Sequence, residues 1–191
     1  MTRLQIITLG DSKVGKTSIL NRFKDGSFNT NIITTIGVDF VSKVVKVGNK
    51  EVLVRLWDTA GQERFHTVTH NSYKKSQGVL LVFDVEDKET LAGLQKWMSL
   101  LNEHGDKSIV KYLIANKIDS DKRTVMTEEG KELADKYNMK YYEVSAKTGV
   151  NITKSITDLV TEVYKARFET TKEDGFELSN KAASPIKSNC C

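Results

Sequence analysis

The sequence predicts an α/β protein built on a mostly parallel six-stranded sheet, with one antiparallel edge strand and helices on both faces. Three observations predict it. Strand-like apolar runs alternate with segments of helical periodicity along most of the chain. Gly78-Val79-Leu80-Leu81-Val82-Phe83-Asp84 is an almost unbroken apolar run, the mark of a strand covered on both faces. Gly48-Asn49 separates two β-rich segments and supplies a tight hairpin turn.

The elements follow in order. Leu4-Gln5-Ile6-Ile7-Thr8-Leu9 reads as the first strand, and Ser18-Ile19-Leu20-Asn21-Arg22-Phe23 as the first turns of a helix. Asp25 to Thr35 is polar, with few core residues. Gly37 to Val47 and Glu51 to Trp57 form the hairpin strands. After the buried run, Leu91, Leu94, Trp97, Met98 and Leu101 recur at helical spacing. Ile109 to Ala115 is a further strand. Thr127-Glu128-Glu129 offers an N-cap and an acidic first turn to a helix carrying Leu133 and Tyr137. Tyr141 to Val144 is a short strand, and Asn151 is expected to cap a last helix whose stripe is Ile152, Ile156, Leu159, Val160 and Val163. These apolar residues are expected in the core. In such a sheet, ligands bind at the carboxyl ends of the strands. From Phe168 the pattern stops. The expected division is one domain over 1–167 and a flexible tail over 168–191, rich in Thr, Ser, Lys, Glu and Asn and containing the one proline, Pro185.

Bulk properties narrow the function. A chain of 191 residues suits one domain with a sizeable core, and 39% hydrophobic with 28% charged residues is a soluble, globular balance. The net charge of +4 is modest and no basic stripe accompanies it, so no nucleic-acid partner is expected. Lys74-Lys75 reads as a solvated face. No apolar run approaches the roughly 20 residues of a membrane-spanning helix, and the N-terminal run is too short and polar for a secretory signal, which predicts a cytosolic protein. The two cysteines, Cys190 and Cys191, are adjacent and would close no loop, which excludes a disulfide framework.

Gly10-Asp11-Ser12-Lys13-Val14-Gly15-Lys16-Thr17 has the form G-x-x-x-x-G-K-[ST] between the first strand and the first helix. Such a loop wraps backbone N–H groups around phosphates, aided by the helix N-terminus through Ser18; Lys16 adds a point charge, and the Thr17 hydroxyl can ligate Mg²⁺. Trp57-Asp58-Thr59-Ala60-Gly61-Gln62-Glu63 ends the second hairpin strand. There Asp58 can hold the Mg²⁺ shell, Gly61 lets a backbone N–H approach a terminal phosphate, and Gln62 can orient an attacking water. Asn116-Lys117-Ile118-Asp119 follows another strand. A carboxylate at Asp119 can accept from N1–H and the 2-amino group of guanine, a donor pair that adenine lacks. Taken singly this motif also fits a polar strand-to-helix loop, and Ser145-Ala146-Lys147 after the next strand is weaker still. The strength lies in their order, each at a strand end.

With these motifs the chain resembles the Ras-superfamily small GTPases, and within them the Rab family, over about Leu4 to Arg167. The Rab-like features are Thr35-Ile36-Gly37-Val38-Asp39-Phe40, Trp57 through Phe65, Phe83-Asp84 and the terminal Cys190-Cys191. No insert follows Asp119, unlike the Rho branch, and Thr2 rather than glycine follows Met1, unlike the Arf branch. The resemblance implies the small G-protein fold and a GTP/GDP switch of vesicular traffic that hydrolyses GTP slowly. It further implies that Lys16 contacts the β/γ-phosphates, that Thr17 and Thr35 ligate Mg²⁺ with Asp58 behind water, and that Thr35 and Gly61 sense the γ-phosphate. Phe28 would pack against guanine, Asn116 and Asp119 read it, Lys117 lie over it, and Ala146 N–H meet O6. Two loops, roughly Asn29–Gly37 and Thr59–Lys75, would close on GTP and relax on hydrolysis. Ile36, Gly37, Val38, Asp39, Phe40, Trp57, Phe65 and Tyr73 would form the effector surface.

No built-in arginine finger is evident, although Arg64 is near in sequence, so an external GTPase-activating protein and an exchange factor are implied. Cys190 and Cys191 resemble a doubly prenylated ending; two lipid chains anchor stably. Three lysines oppose four acids from Phe168 to Cys191, so no polybasic patch assists. A prenylation escort, a GDP-dissociation inhibitor, effectors and the cytoplasmic face of an intracellular membrane complete the implied setting of a monomeric G domain. Two departures stand out. Lys13 occupies a position where the family usually has a small residue, and Ser72 stands where many Rabs carry the first of paired aromatics. Two other readings compete: a GTP-binding module with little hydrolysis, and an ATP-using phosphate-loop kinase, against which Asp119 argues.

Overall fold

The computed structural model describes residues 1–29, 38–59 and 73–169. Six strands form one sheet: β1 (Thr2–Leu9), β2 (Val38–Val47), β3 (Lys50–Thr59), β4 (Gly78–Asp84), β5 (Val110–Asn116) and β6 (Lys140–Glu143). Their spatial order is β2-β3-β1-β4-β5-β6, and only the edge pair β2/β3 is antiparallel. The β2/β3 hairpin turns at Gly48-Asn49, with Gly48 at φ 55, in the left-handed region that glycine adopts without steric cost. The predicted sheet is therefore the observed one.

Among the described residues, four helices cover the sheet: α1 (Lys16–Asp25), α2 (Lys88–His104), α3 (Thr127–Lys136) and α4 (Ile152–Phe168). Ile19, Leu20 and Phe23 of α1 and Ile152, Ile156, Leu159, Val160 and Val163 of α4 pack with Leu4, Ile6, Leu80 and Val82 on one face. Leu94, Trp97, Met98 and Leu101 of α2 and Ala134 of α3 pack with Ile7, Leu9, Leu81 and Phe83 on the other. Side chains alternate across a strand, so neighbouring residues of β1 and β4 feed opposite cores. All seven residues of β4 are buried, as its unbroken apolar run requires.

Two caps differ from expectation. Asn151 stands before α4, but at φ 58 its side chain turns away and its Nδ2 donates to Glu143 O at 2.8 Å. The N-cap of α3 is Met126, not Thr127; Glu129 accepts from Met126 N at 2.7 Å, while the Thr127 hydroxyl donates to Glu143 Oε1 at 2.7 Å.

Parallel register gathers the strand ends that carry chemistry. Leu9 pairs with Leu81, Asp84 with Asn116, and Ala115 with Glu143, so the loops after β1, β4, β5 and β6 leave the same edge. β3 runs parallel to β1 and brings Asp58 and Thr59 to that edge too. Thr59 Oγ1 donates to Thr8 O at 2.6 Å and Thr8 Oγ1 to Trp57 O at 3.0 Å, fastening the two ends together.

Candidate functional site: a cleft at the strand ends

A cleft of about 390 Å³ opens at this edge. One wall is the loop after β1 and the start of α1 (Lys13, Gly15, Ser18) with Phe28; the other is Asn116, Lys117, Asp119, Ala146 and Lys147. Residues brought from three motifs thus meet in one depression. Val14 is buried, and Ser12 sits half-buried in the same loop.

The loop after β1 closes around a lysine. Lys16 is 5% exposed and its Nζ donates to Gly10 O and Asp11 O, each at 2.8 Å. Burial pushes its pKa down to about 8, against the opposing pull of Asp58 and Asp11. Gly15, at φ 97, lies so close to Asn116 that a Cβ there would stand 2.3 Å from the Asn116 amide nitrogen. Asp11 turns its carboxylate the other way: Trp97 Nε1 of α2 donates to Asp11 Oδ1 at 2.8 Å. Beside Lys16, Thr17 Oγ1 donates to Asp58 Oδ2 at 2.6 Å, and Asp58 is 5% exposed. A hydroxyl and a carboxylate this close are hard oxygen donors suited to Mg²⁺.

At the other end, Asn116 is the hub. Its side chain is 1% exposed; Nδ2 donates to Val14 O at 2.8 Å, and Oδ1 accepts from Ala146 N at 3.2 Å. One amide therefore joins the phosphate loop, the end of β5 and the loop after β6. Asp119 Oδ1 accepts from Ser145 Oγ at 2.6 Å, and Lys147 Nζ lies 3.7 Å from Asp119 Oδ2. Lys117 holds a left-handed backbone (φ 69), and its ammonium is paired with Asp84 and lies 3.7 Å from Glu86 Oε2. A non-glycine residue held in that region beside a cleft marks a site where surrounding structure pins the backbone. Lys13 shares this conformation at φ 67, with an exposed side chain at the cleft rim.

The sequence carries no site signal for Asp11, Arg22 or Glu86, and places Trp97 only in the core. Arg22 binds the carbonyls of the loop after β6 from α1, 124 residues away in sequence. No local pattern reports such a pairing, although a charged residue at a strand end, as at Asp84, is a usable signal.

On β2 and β3, Phe40 is 45% exposed and its ring lies 5.0 Å from that of Trp57, tilted by 47°. Asp39 is exposed beside it. Tyr73 corrects an expectation: it is 0% exposed, packs among Ile7, Val79 and Leu101, and stacks on His104 at 6.3 Å. Burial pushes its pKa up to about 12, so it belongs to the core and not to an exposed effector face. The expected roles of Thr35, Ile36, Gly37, Gly61, Gln62, Phe65, Cys190 and Cys191, together with Ser72 and the Val38 side chain, lie outside the described residues. Among the described residues, no helix is long and apolar enough to cross a membrane.

Known proteins share this arrangement of sequence. The model of the Ras family matches residues 5–165. Ras-related protein RABE1e of Arabidopsis thaliana is 38% identical over 98% of this chain and 92% of its own length. Ras-related protein Rab-10 of Caenorhabditis elegans is 36% identical over 98% and 95%, and GTP-binding protein ypt2 of Schizosaccharomyces pombe 38% over 93% and 89%. The chain belongs to the Ras family, and within it to the Rab small GTPases, guanine-nucleotide switches of vesicle traffic.

Proposed function

We propose that the cleft binds GTP and GDP with Mg²⁺ through the residues singled out in the sequence, over a G domain of residues 1–167. Support comes above all from the buried Asn116 amide, which joins Val14 of the phosphate loop to Ala146 of the loop after β6. Base end and phosphate end are built as one unit, as a nucleotide site requires. Lys16 supplies positive charge to the β/γ-phosphates, and Gly15 keeps the backbone open to them. Thr17 and Thr35 would ligate Mg²⁺, with Asp58 holding it through water. When bound, the metal neutralises charge on the phosphate oxygens. Asp119 reads N1–H and the 2-amino group of guanine, with Ser145 and Lys147 fixing its carboxylate, while Ala146 N–H meets O6. Phe28 walls the base and Lys117 covers it. Thr35 and Gly61 sense the terminal phosphate, and Gln62 orients the attacking water.

Hydrolysis is slow alone, and the protein relies on a GTPase-activating protein and an exchange factor. Phe40 and Trp57 offer effectors an aromatic surface. Cys190 and Cys191 carry prenyl chains added with an escort protein; a GDP-dissociation inhibitor extracts the lipidated form from the cytoplasmic face of an intracellular membrane.

The deciding experiment loads purified protein with Mg²⁺ and labelled GTP or ATP and follows retention and cleavage in one turnover. Tight GTP, slow cleavage and no ATP retention are expected. ATP retention overturns the base assignment. GTP held without cleavage moves the reading to a binding-only module, for which the strained, cationic Lys13 at the rim is the structural candidate.

A further inference from the structure

Arg22 sits on α1 and faces the base end of the cleft from behind. Its Nε donates to Ala146 O at 2.8 Å, one terminal nitrogen donates to Lys147 O, and the other to Gly26 O. Its guanidinium carbon lies 5.8 Å from the centroid of the Phe28 ring, a cation–π distance. Three donors of one planar fork are thus spent on backbone carbonyls from two segments, and its face is spent on the aromatic wall of the cleft.

The consequence for the cleft follows from peptide geometry. In a planar trans peptide the N–H points opposite to the C=O. Holding the Ala146 and Lys147 carbonyls toward α1 therefore fixes the 146–147 and 147–148 peptide planes, the two that directly follow the Ala146 N–H. The Ala146 N–H itself points to the cleft side, where it donates to Asn116 Oδ1 at 3.2 Å and would be shared with a bound 6-oxo group. A lysine could not reproduce this, because an ammonium is a point charge without a rigid fork.

We propose that Arg22 is a positioning residue for guanine: it ties the loop that meets the 6-oxo group, and the Phe28 wall, to the helix that carries Lys16 and Thr17. The inference rests on the reading of the cleft as a guanine-nucleotide site. It predicts that Arg22 sets discrimination at the 6-oxo edge, over and above any general effect on stability.

The test compares full-length protein with Arg22→Ala and Arg22→Lys, measuring equilibrium affinity in Mg²⁺ at pH 7 for GDP and for 6-thioguanosine diphosphate, which keeps N1–H and the 2-amino group and replaces the 6-oxo by a sulfur that accepts hydrogen bonds more weakly. Loss of the charge-assisted bonds should weaken GDP by about tenfold or more in both variants and weaken the analogue far less, so the ratio of the two affinities falls. Arg22→Lys keeps the cation, so a folding defect in Arg22→Ala leaves the comparison intact. Equal weakening of both nucleotides, or restoration of the parent ratio by Arg22→Lys, overturns the proposal. Parent protein that fails to prefer GDP over ADP overturns the guanine reading itself, and this inference with it.

Discussion

Gly93 on α2 tests how tightly the helix is coupled to the phosphate loop. A Cβ at Gly93 would stand 2.3 Å from Asp11 Oδ2, closer than real Cβ contacts come. Two effects oppose each other in Gly93→Ala. Alanine inside a helix is favoured over glycine by about 1 kcal/mol. Against this, Asp11 must move, and its other oxygen then leaves Trp97 Nε1, now 2.8 Å away. Trp97 is 3% exposed, so its indole N–H would lose its acceptor in a buried setting, at about 1–3 kcal/mol. The cost outweighs the propensity gain, and a net destabilisation on the order of 1 kcal/mol is expected. In an Asp11→Ala background the clash disappears and the indole is already unpaired. There Gly93→Ala should stabilise by about 1 kcal/mol. The readout is the sign reversal in urea unfolding at a fixed excess of GDP, with GDP affinity measured for each variant so that its contribution can be subtracted. A coupling of about 2 kcal/mol between the two substitutions is expected. If Gly93→Ala stabilises both backgrounds alike, α2 and the phosphate loop are not coupled through Asp11.

Three further outcomes follow from the described contacts. Lys16 titrates near 8 because of burial, so binding an anionic nucleotide must draw a proton onto it at higher pH. Calorimetry at pH 8.5 in buffers of different ionisation enthalpy should detect proton uptake on GDP binding, and no uptake would contradict the assignment of Lys16 to the phosphates. Asn116→Ala strands Val14 O and Ala146 N together, so loss of at least about 2 kcal/mol of stability and a large fall in GDP affinity are expected; a variant that binds GDP as the parent does would refute its role as the hub. Glu143 is partly desolvated, which raises its pKa, but hydrogen bonds from Arg123, Thr127 and Tyr141 outweigh burial and hold it below the usual value. Its contribution is therefore complete above the unfolded value near 4.5 and fades as pH falls through the lower folded one, so Glu143→Gln should destabilise at pH 7 and converge with the parent in acid. A gap that persists undiminished at pH 3 would rule out that account.

Local signals made most of this protein legible. The β4 run, the Gly48-Asn49 turn and the helical stripes each encode their own burial, and each appears where the pattern placed it. The phosphate loop and the Asn116–Asp119 motif were readable because consecutive residues carry them. Arg22 and the Asp11–Trp97 pair were not, since they join residues 124 and 86 apart and neither partner stands in an unusual local pattern. Tyr73 misled for a related reason. Its neighbours Asn71, Ser72, Lys74 and Lys75 are polar, so nothing nearby announces that the ring turns inward onto His104. Asn151 has the composition of a cap, but a left-handed backbone aims its amide at Glu143 instead.

The Asn116 amide has a kinetic consequence. It donates to the loop proposed to hold the phosphates and accepts from the loop proposed to hold the base. Neither loop can shift without breaking a bond to a group buried to 1% exposure. Departure of a bound nucleotide should then be a single concerted event with one relaxation time, rather than a stepwise peeling in which the base leaves first and the phosphates linger. An agent that hastens departure has only to displace this one side chain from both neighbours to loosen both ends at once.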